Sequence, residues 1–215
     1  MNLIFFGDSI MQGLWDEKGG WASRIKQDIY SEHIEGAEPW EDYNIAYMRA
    51  NSSETSEGLK TRVYPELKAA RDKSDHDWTM VFSVGMNDCV IDRVEENKVS
   101  KSDYRNNIEK IIEEGREVAD QVIAVGLTPV DESIVGPESK EEYYLNQEVS
   151  KFNSILEEVC EEKNVKFIPV FDRVSRDWND KLFDGLHPDT EGHREIYELI
   201  NEPLLGKLDL DLSKN

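Results

Sequence analysis

Leu3-Ile4-Phe5-Phe6-Gly7-Asp8-Ser9-Ile10 sets an unbroken apolar run directly before a glycine, a carboxylate and a hydroxyl. Four large apolar residues closed by a Gly-Asp-Ser turn read as a short strand buried on both faces, as in a parallel sheet. The same grammar recurs downstream. Residues 79–84 form an apolar run that leads into Gly85-Met86-Asn87-Asp88, and residues 121–127 form another that stops at Thr128-Pro129. Weaker runs at 43–46 and 165–170 bring the expected strands to five.

Helix-period segments separate these runs. Trp21, Ile25 and Ile29 share one face of 21–30, and 56–71 is helical in pattern, with Pro65 expected to kink or split it. A long amphipathic helix starts near Ser100, with Ser102 or Asp103 as its cap and Ile108, Ile111, Ile112 and Val118 inward. Residues 141–162 and 190–200 supply two more helices. Strands alternating with helices imply an α/β fold: a five-stranded parallel sheet covered on both faces, with right-handed crossovers. The expected organisation is a single domain over 1–205 and a C-terminal tail over 206–215, consistent with a chain of 215 residues.

Composition narrows the partners. Acidic residues number 46 against 25 basic ones, a net charge of −21, which disfavours nucleic acid and anionic membrane. The acidity fits adaptation to high salt and an ordinary acidic surface equally well. No run approaches the roughly 20 apolar residues of a membrane span, and the start, Met1 to Phe6, lacks the basic head of a secretory signal. The expectation is a cytoplasmic protein that neither binds nucleic acid nor inserts into membrane. Cys89 and Cys160 read as two reduced thiols.

Three polar turns carry chemistry. Ser9, just past a strand end, is a nucleophile if a base takes its proton, and its own N–H can serve an oxyanion. His187, in Asp184-Gly185-Leu186-His187-Pro188, is the base candidate, with Asp184 three residues upstream to fix its tautomer. Asn87, after the third strand, offers an amide donor for developing negative charge, and Asp88 either caps the next segment or buttresses Asn87. His193 reads as structural or exposed, and His33 and His76 as surface. The loops 13–20 and 133–144, with Trp15, Tyr143 and Tyr144, are candidates to line a pocket.

Taken singly, each turn also reads as ordinary loop or capping chemistry; together and in this order they resemble the SGNH, or GDSL-type, hydrolase family. Ser9 matches its first block, Gly85-x-Asn87-Asp88 its third and Asp184-x-x-His187-Pro188 its last, and Gly19-Gly20-Trp21 fits a less specific part. The resemblance implies a flavodoxin-like three-layer α/β/α fold. It also implies hydrolysis of a small-molecule ester without cofactor or metal, with Ser9, His187 and Asp184 as triad and Ser9 and Asn87 at the oxyanion. One block departs from the pattern. The family usually has a glycine after the second strand whose N–H completes the oxyanion hole. The corresponding stretch here, residues 43–56, has none. Aligning through Ser52-Ser53-Glu54-Thr55-Ser56 puts Ser53 at that position, and aligning from Asn44 puts Arg49 there; Ser53 is favoured.

Two other classes compete. A metal-dependent phosphoesterase could use Asp8, Asp88, Asp184, His187 and His193, yet no His-x-x-x-His or Glu-x-x-His pattern occurs, and Ser9 and Asn87 have no role in it. A non-catalytic acidic binding protein on the same fold would explain the missing glycines as lost function.

Overall fold

The computed structural model describes residues 2–36, 44–71, 76–92, 94–138 and 141–205. Its centre is a five-stranded sheet of β1 (Asn2–Gly7), β2 (Ala46–Ala50), β3 (Trp78–Ser83), β4 (Gln121–Val125) and β5 (Lys166–Ile168). The strand order is β2-β1-β3-β4-β5 and all four pairings are parallel. This is the flavodoxin-like order, whose switch point lies between β1 and β3, where ligands bind at the carboxyl ends of the strands.

Each strand divides its side chains between two cores, as the two-residue period requires. Ile4 and Phe6 of β1 join Met80 and Phe82 of β3 against α3 (Ser56–Arg71), α4 (Lys101–Val118) and α6 (Asn146–Glu162). Leu3 and Phe5 face the other way, with Val81, Ile123 and Ile168, against α2 (Gly20–Gly36) and α7 (Thr190–Leu205). Both faces of the sheet are thus covered, and the three-layer α/β/α fold expected from the sequence is present. Two four-residue helices, α1 (Ser9–Gln12) and α5 (Glu132–Val135), sit at the carboxyl end of the sheet. Among the described residues, no helix is long and apolar enough to cross a membrane. Cys89 and Cys160 are free and buried.

Several boundaries differ from expectation for physical reasons. The second strand begins at Ala46, not at Tyr43 (which lies outside the described residues), and runs on to Ala50. It is an edge strand, only Ala46 is fully buried, and so Tyr47 and Arg49 mask its apolar signature. Helix α6 starts at Asn146, because residues 143–145 are extended: Tyr143 exchanges backbone hydrogen bonds with Ile91 (2.9 and 3.0 Å) and Tyr144 N–H donates to Val135 O (2.9 Å). Ser100 itself caps α4, accepting from Asp103 N–H at 3.1 Å. Pro65 lies within α3, which continues to Arg71; Leu59, Val63 and Leu67, all fully buried, hold the helix to the sheet across the lost hydrogen bond. Pro203 lies within α7, and the expected tail over 206–215 is outside the described residues.

Candidate active site

The sheet register gathers the three polar turns. Gly7 at the end of β1 pairs with Ala50 of β2 on one side and Ser83 of β3 on the other, so the segments holding Ser9, Ser53 and Asn87 leave the sheet side by side. Ser9 opens α1, with Asp8 as its cap: the Asp8 carboxylate accepts from Ile10 N–H at 2.9 Å. Gly7 is required by close approach, since a Cβ there would lie 2.7 Å from Ser83 O and 2.8 Å from Met11 Cβ. Ser9 is 7% exposed, and as first helical residue its N–H has no hydrogen-bond partner among the described residues.

His187 comes from the turn before α7. Asp184 shapes that turn with one oxygen, Oδ1, which accepts from Leu186 N–H (3.1 Å) and His187 N–H (2.8 Å). Its other oxygen, Oδ2, lies 2.8 Å from His187 Nδ1, and His187 Nε2 lies 2.9 Å from Ser9 Oγ. Partial burial works against the Asp184 anion, but the His187 N–H, the imidazole and the Leu186 N–H outweigh it and hold the carboxyl below its ordinary range. An ionised Asp184 fixes the proton on Nδ1 and leaves Nε2 as acceptor for the serine hydroxyl. Behind the turn, Asp189 Oδ1 caps α7 through Glu191 and Gly192 N–H, both at 2.9 Å.

Asn87 leaves β3 through Gly85, whose φ of +143° no side chain adopts readily. Its Nδ2 donates to Glu54 O at 3.0 Å, which ties it to the segment of Ser53 and leaves the second N–H of the amide over. Asp88 points away and caps α3, accepting from Ser56 N–H (both oxygens at 3.0 Å) and from Ser56 Oγ. Asn107 Nδ2 also donates to Ser56 Oγ, at 2.9 Å. Burial lifts the Asp88 pKa to about 6 against these hydrogen bonds. Ser53 is exposed and left-handed, φ +62°, in the region that favours glycine, and its N–H has no partner among the described residues. Arg49, the other aligned position, is inside β2, where its carbonyl accepts from Arg62 and its guanidinium pairs with Glu66 at 3.4 Å.

The remaining candidates lie elsewhere. Asp8 is buried, which raises its pKa to about 6, and its carboxylate is spent on the cap. His193 is fully buried in α7 beside Gly20, and burial lowers its pKa to about 4, so it is neutral. Among the described residues, no three His, Cys, Asp or Glu side chains are grouped as metal ligands, and Asp8, Asp88 and His193 each face a different neighbour. His76 is half-buried, and the side chain of His33 lies outside the described residues. Tyr143 and Tyr144 are half-buried on the strand-like bridge to Ile91, and Trp15 is exposed.

Two features were not visible in the sequence. Asp16 and Arg24 form a buried ion pair, and Arg24 also donates to Thr190 O at 3.2 Å, clamping the loop after Ser9 to the start of α7. Burial opposes the Asp16 anion, but Arg24 and the Lys18 and Gly20 N–H groups lower its pKa to about 2. Phe183, directly before Asp184, stacks on Trp15. An exposed aromatic beside a candidate triad residue was the only available signal.

No curated protein matches the sequence. A lipase/acylhydrolase from Enterococcus faecalis is similar in structure, with 23% identity, a TM-score of 0.70 and 96% of each chain covered. A lipolytic G-D-S-L family member from Veillonella parvula has 20% identity and a TM-score of 0.68, over 95% of this chain and 98% of its own. An acetyl xylan esterase from Geobacillus stearothermophilus has 16% identity and a TM-score of 0.65, over 93% and 92%. At such identities these likenesses establish a shared fold. The GDSL-like Lipase/Acylhydrolase family pattern, by contrast, matches residues 5–195, nearly the whole sequence. The chain belongs to the GDSL-like lipase/acylhydrolase family.

Proposed function

We propose that this protein hydrolyses carboxylic esters of small molecules by acyl transfer through Ser9, His187 and Asp184. The carrying observation is the continuous contact from Asp184 Oδ2 to His187 (2.8 Å) and from His187 to Ser9 Oγ (2.9 Å), in a family of lipases and acylhydrolases. Ser9 Oγ attacks the ester carbonyl as Nε2 takes its proton, and Asp184 stabilises the imidazolium. The N–H of Ser9, the spare N–H of Asn87 and the N–H of Ser53 have no partner among the described residues and lie at the carboxyl ends of three adjacent strands, available to the oxyanion. His187 returns its proton to the leaving alcohol, and a water deprotonated at the same nitrogen releases the acid. No step needs a metal or cofactor.

The test is hydrolysis of p-nitrophenyl acetate with and without a chelator, by wild type and by Ser9→Ala. The proposal expects chelator-insensitive turnover that Ser9→Ala abolishes while the protein stays folded. Activity lost to the chelator, or retained by Ser9→Ala, contradicts it.

A further inference from the structure

Among the described residues, five large apolar side chains stand exposed: Trp15, Tyr30, Val94, Ile134 and Phe183. Two of them, Trp15 and Phe183, belong to the segments that hold the candidate triad, and Ile134 packs against one of these segments. Trp15 is in the loop leaving α1, where Leu14 N–H donates to Ser9 O at 3.1 Å. Phe183 precedes Asp184, and its N–H donates to His187 O at 2.8 Å. Ile134 packs on Gly185, where a Cβ would fall 2.7 Å from Ile134 Cβ. The Trp15 and Phe183 rings stack with centroids 4.9 Å apart and planes 21° from parallel, yet the residues remain 52% and 61% exposed. Stacking fixes the two rings without burying them, and their free surfaces stay open to a third ring. The backbone at Trp15 has φ +67°, a conformation that disfavours any side chain, so the indole is held out where local preference would place glycine.

The pair also has a definite side. It is joined to Ser9 through the α1 loop and to His187 through the Asp184 turn, whereas Asn87 and Ser53 lie beyond β3 and β2. In acyl transfer the histidine delivers its proton to the departing oxygen, so the alcohol of the ester lies on the histidine side and the oxyanion away from it. An acyl chain would need an enclosed apolar channel; an open aromatic surface suits a ring that lays one apolar face on it instead. The net charge of −21 disfavours an anionic one.

We propose that Trp15 and Phe183 form a subsite for the leaving alcohol, which stacks a ring without negative charge, pyranoside or aryl, against the aromatic pair. This rests on the esterase reading above. The test compares Trp15→Gly, which suits the left-handed backbone, and Phe183→Leu, which keeps apolar bulk but loses the ring, with wild type. The substrates are phenyl acetate, a methyl O-acetylpyranoside and ethyl acetate. For at least one ring ester, the ratio of its kcat/KM to that of ethyl acetate falls threefold or more in both variants, through KM; which ring ester loses identifies the ring. A smaller change for both ring esters, or a change that instead follows acyl length between ethyl acetate and ethyl hexanoate, overturns the proposal.

A second measurement does not depend on turnover. Methyl pyranosides and benzyl alcohol, at tens of millimolar, are titrated into Ser9→Ala and Ser9→Ala/Trp15→Gly while indole fluorescence is followed. A saturable shift present only with Trp15 supports the subsite even if no ester is cleaved, an outcome that defeats the esterase reading alone. No shift with either alcohol overturns it.

Discussion

Replacing Asn87 by alanine separates the proposed oxyanion role of this residue from its structural one. Its amide donates one hydrogen bond, to Glu54 O at 3.0 Å, and keeps a second N–H in hand. The bond to Glu54 is half-buried, so its loss costs ~0.5–1.5 kcal/mol of stability. For a domain of this length that lowers Tm by only about 1–6 °C. Loss of an oxyanion donor costs ~2.7–4 kcal/mol of transition-state stabilisation, or ~10²–10³ in kcat. Ser53→Gly is the matching control, since it keeps the main-chain N–H and removes the side chain from a φ of +62°. It should leave kcat within about threefold, because the donor in question is a main-chain group. It should also raise stability by about 1 kcal/mol, the order of the left-handed penalty. The assay is kcat and KM on p-nitrophenyl acetate at 25 °C, with thermal melts of the same preparations. An Asn87→Ala enzyme that melts as expected but keeps more than a tenth of wild-type kcat would refute the oxyanion assignment.

Asp184→Asn should keep the turn, because an amide oxygen can still accept from Leu186 and His187 N–H, yet it removes the anion facing His187 Nδ1. We expect kcat to fall ~10²–10⁴-fold with KM nearly unchanged, and a loss below tenfold would reduce Asp184 to a supporting role. Asp8 bears on stability instead: burial raises its pKa from 3.8 to about 6. A carboxyl raised in the folded state contributes stability below its unfolded pKa that is lost as pH climbs through the folded one, here between about 4 and 6. Asp8→Asn retains the cap to Ile10 N–H and should be ~1–3 kcal/mol more stable than wild type at pH 8, with about a third of that difference at pH 4.5. Urea melts at the two pH values check this, and destabilisation at pH 8 contradicts it.

How much the sequence disclosed differed by element. The central strands β1 and β3 were legible because both faces are buried, which forces continuous apolar runs such as Leu3 to Phe6. Edge strand β2 was misplaced toward Tyr43, since an edge need not be apolar on its open side and Arg49 and Tyr47 broke the pattern. Helix α6 was begun too early because Tyr143 and Tyr144 continue its apolar spacing, and only their pairing with Ile91 and Val135 reveals that they are extended. In the candidate site, Ser9, Asn87, Asp184 and His187 are legible as candidates because the proposed chemistry demands those residue types in short turns. The partner of Asp88 could not: Ser56 meets it only through the packing of α3 beside β3. The same holds for the stacking of Trp15 on Phe183 and for the clamp from Asp16 to Arg24 and Thr190, both of which join the two ends of the chain. His193 reads from sequence as structural or exposed, and its position against Gly20, fully buried, decides for the structural reading.

Everything proposed for this site depends on Ser9 acting as the nucleophile, activated by His187. Covalent labelling with a fluorophosphonate, followed by peptide mapping of the adduct, tests it most directly. One stoichiometric phosphonyl group is expected on Ser9 of the native protein. Labelling should be slowed at least a hundredfold by His187→Ala and abolished by Ser9→Ala or by prior denaturation. A native protein that remains unlabelled, or one labelled at another residue with equal speed in Ser9→Ala, would contradict it.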